Sequence, residues 1–328
     1  MPVHPTKHQF MELYMKPLFE QQSTSSPQIQ PAVALPSSPT RLATAGQFIA
    51  VIIIWSLTPL AAVWTVQELH WAWGLFLRFS IAIPIALLCL KFFRLKLIFS
   101  KKAVLSYCAG AIGLFGSMAF CYMGADKVPS AIISIIYGTS PLVSGLVSSF
   151  VLGHERFSSW QWLGLGIALV GMSFTLGLSS SGFQLNSIGI MLELIAMLFY
   201  VLSTFAVKSV GAHIHPIIQM TGSSLVSWVG YACLLPFFWS HLPTELPSLK
   251  ISLAVFYSAV FSSVLAMIFY YQLIKVLQPT TVLLITIITP VLATFWGTWF
   301  NHEQLSSHLV LGLTLLCLGL LMYSRRSA

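Results

Sequence analysis

Ten stretches of about 20 mainly apolar residues follow one another along this chain of 328 residues. They fall at roughly 45–66, 71–92, 103–123, 128–151, 160–178, 187–207, 215–238, 250–273, 279–300 and 306–324. A helix needs ~20 such residues to cross the hydrocarbon core of a bilayer. The segments between them are too short to fold as a separate soluble domain. A closed barrel, the other form that spans lipid, would need ~10-residue segments of alternating polarity, and the chain has none. The expected class is therefore all-α integral membrane, with ten transmembrane helices.

Composition supports this and excludes other classes. Charged residues are 7% of the chain and apolar ones 57%, with mean hydropathy +0.86, whereas soluble domains carry ~25% charged residues. So few charges cannot cover a water-facing surface, which excludes a cytosolic enzyme or a nucleic-acid binder. Cys89, Cys108, Cys121, Cys233 and Cys317 lie in apolar runs without CxxC spacing. They read as small buried hydrophobes, not as disulfides or zinc ligands.

Residues 1–43 differ in kind. Seven of the 17 prolines fall there, beside a Gln/Ser/Thr run at Gln21–Ser26. The segment lacks the apolar stretch of a signal peptide and is expected to be a disordered tail. The basic residues then orient the chain. With the N-terminus inside, 13 of the 16 Lys and Arg face the cytoplasm. Lys127 and Lys250 face outward and Arg78 lies within a span. The positive-inside rule thus places both termini in the cytoplasm.

The chain repeats itself. His154-Glu155 opens an 18-residue stretch that matches His302-Glu303 onward at eight positions, including Ser158-Ser159 with Ser306-Ser307. Two units of five spans follow, 44–178 and 186–324. Because five is odd, the second copy must be inverted relative to the first, an arrangement common among secondary transporters. The paired serines fit as caps of the fifth and tenth spans. Gly164, Gly171, Gly312 and Gly319 recur seven apart and suit close helix packing. Glu155 and Glu303 read as loop or helix-start groups, with gating as the alternative.

These stretches ("GHERFSSWQWLGLGIALVG", "NHEQLSSHLVLGLTLLCLG"), with "IIIWSLTPL" in the first span and "LRFSIAIPIAL" in the second, resemble the EamA type of the drug/metabolite transporter superfamily. The resemblance covers residues 44–324. It implies a five-plus-five inverted repeat, a central cavity lined by the first four spans of each half, and peripheral fifth and tenth spans. It also implies export of metabolites, as for many relatives.

Two charges lie deep in spans. Arg78 and Glu193 are each about seven residues from the outer end of their span, or ~10 Å. Insertion scales put a mid-span Arg or Asp at ~2.5–3.5 kcal/mol, so such groups face an interior and have partners. Arg78 either pairs with Glu193 or Glu68 or caps backbone carbonyls, or meets an anionic or carboxylate substrate. Glu193 either has a structural partner or carries a proton. Glu193 also shares a helical stripe with Asn186, Gly189, Met197, Tyr200, Thr204 and Lys208. Trp55, Tyr137 and Tyr270 offer aromatic surface on other spans. Arg78, Glu193, Tyr200, Trp55, Tyr137 and Tyr270 are the candidate pathway residues.

The favoured function is a secondary transporter exporting a small metabolite by alternating access, with proton exchange as the favoured coupling and facilitated diffusion as the alternative. No GxxxxGK[ST] motif supports ATP drive. The expected partners are a small-molecule substrate and membrane lipid, with no nucleic acid and no cofactor; a homodimer is left open. The expected site is a bacterial inner membrane. The alternatives are a membrane scaffold that transports nothing and, further off, an intramembrane enzyme.

Overall fold

The structure, a computed structural model, describes residues 41–150, 158–177, 186–210, 214–277 and 279–324. The tail expected over 1–43 lies outside these residues up to position 40, and so does Glu155. The described residues are helical, with no strand among them.

The helices follow the apolar windows in order. They are α1 (Arg41–Glu68), α2 (Trp71–Phe92), α3 (Lys101–Gly124), α4 (Ser130–Ser149), α5 (Ser159–Gly177), α6 (Ser187–Val210), α7 (Pro216–His241), α8 (Leu249–Tyr270), α9 (Pro279–Asn301) and α10 (Ser307–Ser324). Among the described residues nine are long and apolar enough to cross a membrane. The exception is α5, whose first turn carries Ser159, Trp160, Gln161 and Trp162. Its 19 residues still reach ~28 Å at ~1.5 Å each. The chain is a multi-pass membrane protein.

The caps at the helix starts repeat between the two halves. His70 Nδ1 accepts from Ala72 N at the start of α2, and His215 Nδ1 from Ile217 N at the start of α7. Ser100 and Ser248 cap α3 and α8. Ser158 and Ser306 cap α5 and α10, with Gln161 Oε1 returning a bond to Ser158 N. Each cap supplies an acceptor to backbone N–H groups that have none within the helix.

The halves also share an irregularity. A π-helical segment interrupts α3 at Ile112–Ser117, and another interrupts α8 at Ser258–Leu265. Such segments free backbone carbonyls and are frequent at functional sites.

The seam between α5 and α10 brings two backbones into direct contact. A Cβ added at Gly164 would lie 2.6 Å from the Gly319 carbonyl oxygen, and one at Gly171 2.6 Å from that of Gly312. Residue numbers rise on one helix as they fall on the other, so these counterparts run antiparallel. Only glycine lets the two backbones meet this way. The same sense holds between α4 and α9, where Gly138 meets Pro290 and Ser130 meets Gly297.

The cysteine expectation holds in part. Cys121 is buried and Cys89 and Cys317 are half-buried, but Cys108 and Cys233 are exposed. Exposed apolar side chains are ordinary on a bundle whose outer solvent is lipid.

Candidate translocation site

Arg78 sits mid-bundle on α2, only 4% exposed, with Leu75 and Phe79 fully buried on the same helix. Its Nε donates to Ser263 Oγ at 3.0 Å and its Nη1 to Tyr122 OH at 3.1 Å, with Met118 Sδ 3.9 Å away. The π segments explain this shell. Ser263 lies in that of α8, where its hydroxyl donates to the Ser258 carbonyl and leaves its lone pair free for Arg78. Met118 and Tyr122 follow that of α3. The carbonyls of Leu114 and Phe115 within the α3 segment both accept from Tyr231 OH, at 3.0 and 2.8 Å. Tyr231 in turn stacks on Phe79, centroids 5.6 Å apart.

Glu193, on α6, is 0% exposed. Among the described residues neither carboxylate oxygen has a hydrogen-bond partner. The Cys121 thiol and the Gly124 backbone lie against it: a Cβ on Gly124 would be 2.7 Å from Glu193 Oε1. The ion pair between Arg78 and Glu193 does not form, and this corrects the pairing reading. Both groups pack on α3, but Arg78 meets positions 118 and 122 whereas Glu193 meets 121 and 124. At 100° per residue these directions differ by roughly a third of a turn. Equal depth alone does not bring two groups together. Glu68 is not the partner either, since its Oε2 accepts from Ser248 N at 2.7 Å.

The aromatic candidates divide into two groups. Tyr137 and Tyr200 lie 6.0 Å apart, and Tyr137 OH bonds Ser117 Oγ at 2.7 Å. They share the large core that holds Cys121, Met197 and Val201. Trp55 and Tyr270 pack together at 4.8 Å in a separate apolar cluster of α1, α8 and α9. A hydroxyl pair, Thr58 with Ser262 at 2.7 Å, joins α1 to α8 one residue before Ser263.

The α6 stripe also needs correction. It faces inward from Gly189 to Met197, is half-buried at Tyr200, and is exposed at Thr204 and Lys208. Asn186 caps the helix instead. Most span threonines bond a carbonyl four residues back, as Thr58, Thr204, Thr289 and Thr294 do. They satisfy their own helix. Around Arg78 the side chains that reach across helices are Tyr122, Tyr231 and Ser263, and sequence reasoning missed all three. The available signal was their type, since a buried Tyr hydroxyl needs a partner.

The connections after α1, α3, α7 and α9 share one end of the bundle. There Glu303 Oε1 accepts from Ser130 N at 2.9 Å and Ser130 Oγ at 2.8 Å, and Oε2 accepts from Ala131 N at 3.3 Å. The carboxylate thus caps α4 rather than its own α10. His302 beside it adopts a left-handed backbone, φ 52°. A cavity of about 790 Å³ opens there, lined by Gln67, Thr294, Thr298, Asn301 and Glu303 among others. A second, of about 610 Å³, lies beside Glu68, His70, His241 and Glu245. The rings of His70 and His241 are 4.4 Å apart. Burial, and then the neighbouring His241, hold the His70 imidazole below its usual range.

Comparison with known proteins fits this architecture. The EamA-like transporter family matches residues 44–177 and again 187–325, one copy per five-helix unit. The uncharacterized transporter YoaV of Bacillus subtilis (strain 168) is 25% identical over 285 residues, covering 85% of this chain and 97% of YoaV. The uncharacterized inner membrane transporter YedA of Escherichia coli (strain K12) is 31% identical over 185 residues, 55% of this chain and 57% of YedA. A solved crystal structure superposes with TM-score 0.64 at 20% identity, covering 85% of this chain and 96% of that one. That likeness concerns the fold alone.

Proposed function

Because the chain belongs to the EamA-like transporter family, we propose that it exports a small metabolite by alternating access, driven by inward movement of protons. The observation that carries this reading is Glu193. A carboxylate with no exposed surface and, among the described residues, no hydrogen-bond partner is costly in its charged form inside an apolar bundle. Protonation removes that charge. Proton exchange at such a site requires a path that opens to water, first on one side and then on the other. Arg78 meets the charge of the substrate, and Tyr137, Tyr200, Trp55 and Tyr270 flank its route.

The antiparallel course of α5 and α10 supports an inverted repeat, the geometry in which one half rocks against the other. Both halves come from one chain, so the path does not require a second copy. The positive-inside rule places the termini in the cytoplasm. YedA is named an inner membrane transporter, and we assign this chain to a bacterial inner membrane on that analogy.

Deleting and overexpressing the gene, with metabolites quantified in cells and medium, tests the reading. The expected result is a compound that accumulates in deleted cells and in the medium of overexpressing ones. Identical pools in both strains would overturn it.

A further inference from the structure

Arg78 is a buried cation held entirely by neutral groups. Its acceptors are a serine hydroxyl, a tyrosine hydroxyl and a thioether, and among the described residues it forms no ion pair. These bonds engage Nε and Nη1. The other terminal nitrogen, Nη2, has no acceptor among the described residues, yet is not one of the sealed-off atoms left without a partner. One arm of the guanidinium fork is therefore open. No second cation occurs on the surrounding turns, residues 74–82, 114–124 and 258–267.

We propose that this open arm of the fork binds the carboxylate of the transported compound, and that the compound is a monoanionic organic acid with an apolar or aromatic body. The inference rests on the transporter reading above and narrows it to a substrate class. Charge sets the valence: one fixed positive charge balances one negative charge, and a dianion would bring an uncompensated charge into an apolar bundle. Shape sets the group, because a planar fork matches a carboxylate better than a point charge does. The surroundings set the body. Tyr122 bonds Arg78, Tyr231 stacks on Phe79 one residue along α2, and Phe115 packs on Tyr231 with centroids 4.9 Å apart, so aromatic rings neighbour the guanidinium. Depth argues against a lipid phosphate, since Arg78 lies seven residues into α2, or ~10 Å below its start.

The holder is also two-sided. Ser263 belongs to the π segment of α8, and Met118 and Tyr122 follow that of α3. These are counterpart helices of the two repeats, so any movement of one half against the other changes the grip on Arg78.

The test is thermal unfolding of the full-length protein in neutral detergent, followed by tryptophan fluorescence. Phenylacetate or hexanoate is expected to raise the midpoint saturably. Phenylacetamide, phenylmalonate and inorganic phosphate should act at least ten-fold more weakly. Arg78→Gln should abolish the phenylacetate response, and Arg78→Lys should weaken it about ten-fold. If Arg78→Gln fails to fold, Ser263→Ala decides, because it keeps the charge and releases the fork; several-fold weaker phenylacetate binding is then expected. Equal responses to acid and amide, or an acid response that survives Arg78→Gln or Ser263→Ala unchanged, would overturn the proposal. So would an Arg78-dependent response to phosphatidylglycerol nanodiscs equal to that of phenylacetate. Flux through reconstituted vesicles separates the two readings. Phenylacetate binding without flux of any solute would remove the transporter reading and leave the site. Flux of neutral solutes unaffected by Arg78→Gln would do the opposite.

Discussion

The α5–α10 pair and the junction of α2, α3 and α8 are built in opposite ways. Along α5 and α10 the backbones touch through glycines, and the hydroxyls of Thr175 and Thr314 bond their own helices. No charged side chain lies within either helix. At the junction two helices abandon regular α geometry, a charge is buried, and side-chain bonds pass from helix to helix. Backbone contact at glycine has one good geometry and tolerates little sliding. Side-chain bonds can be exchanged for others during a movement. The contrast separates a fixed seam from a region able to rearrange.

The sharpest way to break this contrast is to add bulk at the seam. In Gly171→Leu or Gly312→Leu the new Cβ meets backbone atoms at about 2.6 Å, which cannot yield as a flexible side chain can. We expect a loss of about 3 kcal/mol or more, seen as lower yield and a lower melting temperature in detergent. Tolerance of both substitutions would mean the seam is loose.

A change at the core should act on function instead. Glu193→Gln keeps the shape and removes the titratable group. Its melting temperature should change little, while the response of vesicle flux to an imposed pH gradient should fall about ten-fold or more. An undiminished pH response would move coupling elsewhere.

Glu303 lies between these extremes, as a cap that joins two elements. Glu303→Gln weakens the charge-assisted bonds to Ser130 and Ala131 and should cost about 1 kcal/mol, measured as a modest fall in melting temperature.

The smallest effect concerns His70. Its pKa is lowered in the fold, so below the unfolded value of ~6.5 the unfolded chain binds the extra proton first. Stability from this group is therefore present above pH ~6.5 and is lost as pH falls toward the folded pKa. His70→Asn should flatten the decline in melting temperature between pH 7 and pH 5.

Much of the fold was legible because lipid imposes it. Apolar length fixed the spans, the serines before α5 and α10 marked their caps, and glycines seven apart marked the seam. The π segments left no such mark, since backbone register inside a continuous apolar run has no composition signature. The site suffered for the same reason. Arg78 and Glu193 stood out as charges in lipid, but which groups they face depends on how helices rotate about their axes. The position of Glu193 against Cys121 and Gly124, away from Arg78, is set by that rotation. His70 and His215 carried no sequence signal of their capping role, because imidazole is an uncommon cap.

Thiol labelling compares the two regions directly. In protein with its native cysteines replaced, Thr58→Cys lies deep between α1 and α8, beside Ser262, whereas Leu316→Cys lies fully buried in the α5–α10 seam. Labelled with a membrane-impermeant reagent in right-side-out and inverted vesicles, Thr58→Cys should react from both sides and Leu316→Cys from neither. A Thr58→Cys thiol silent from both sides would contradict a passage that opens alternately to the two aqueous phases.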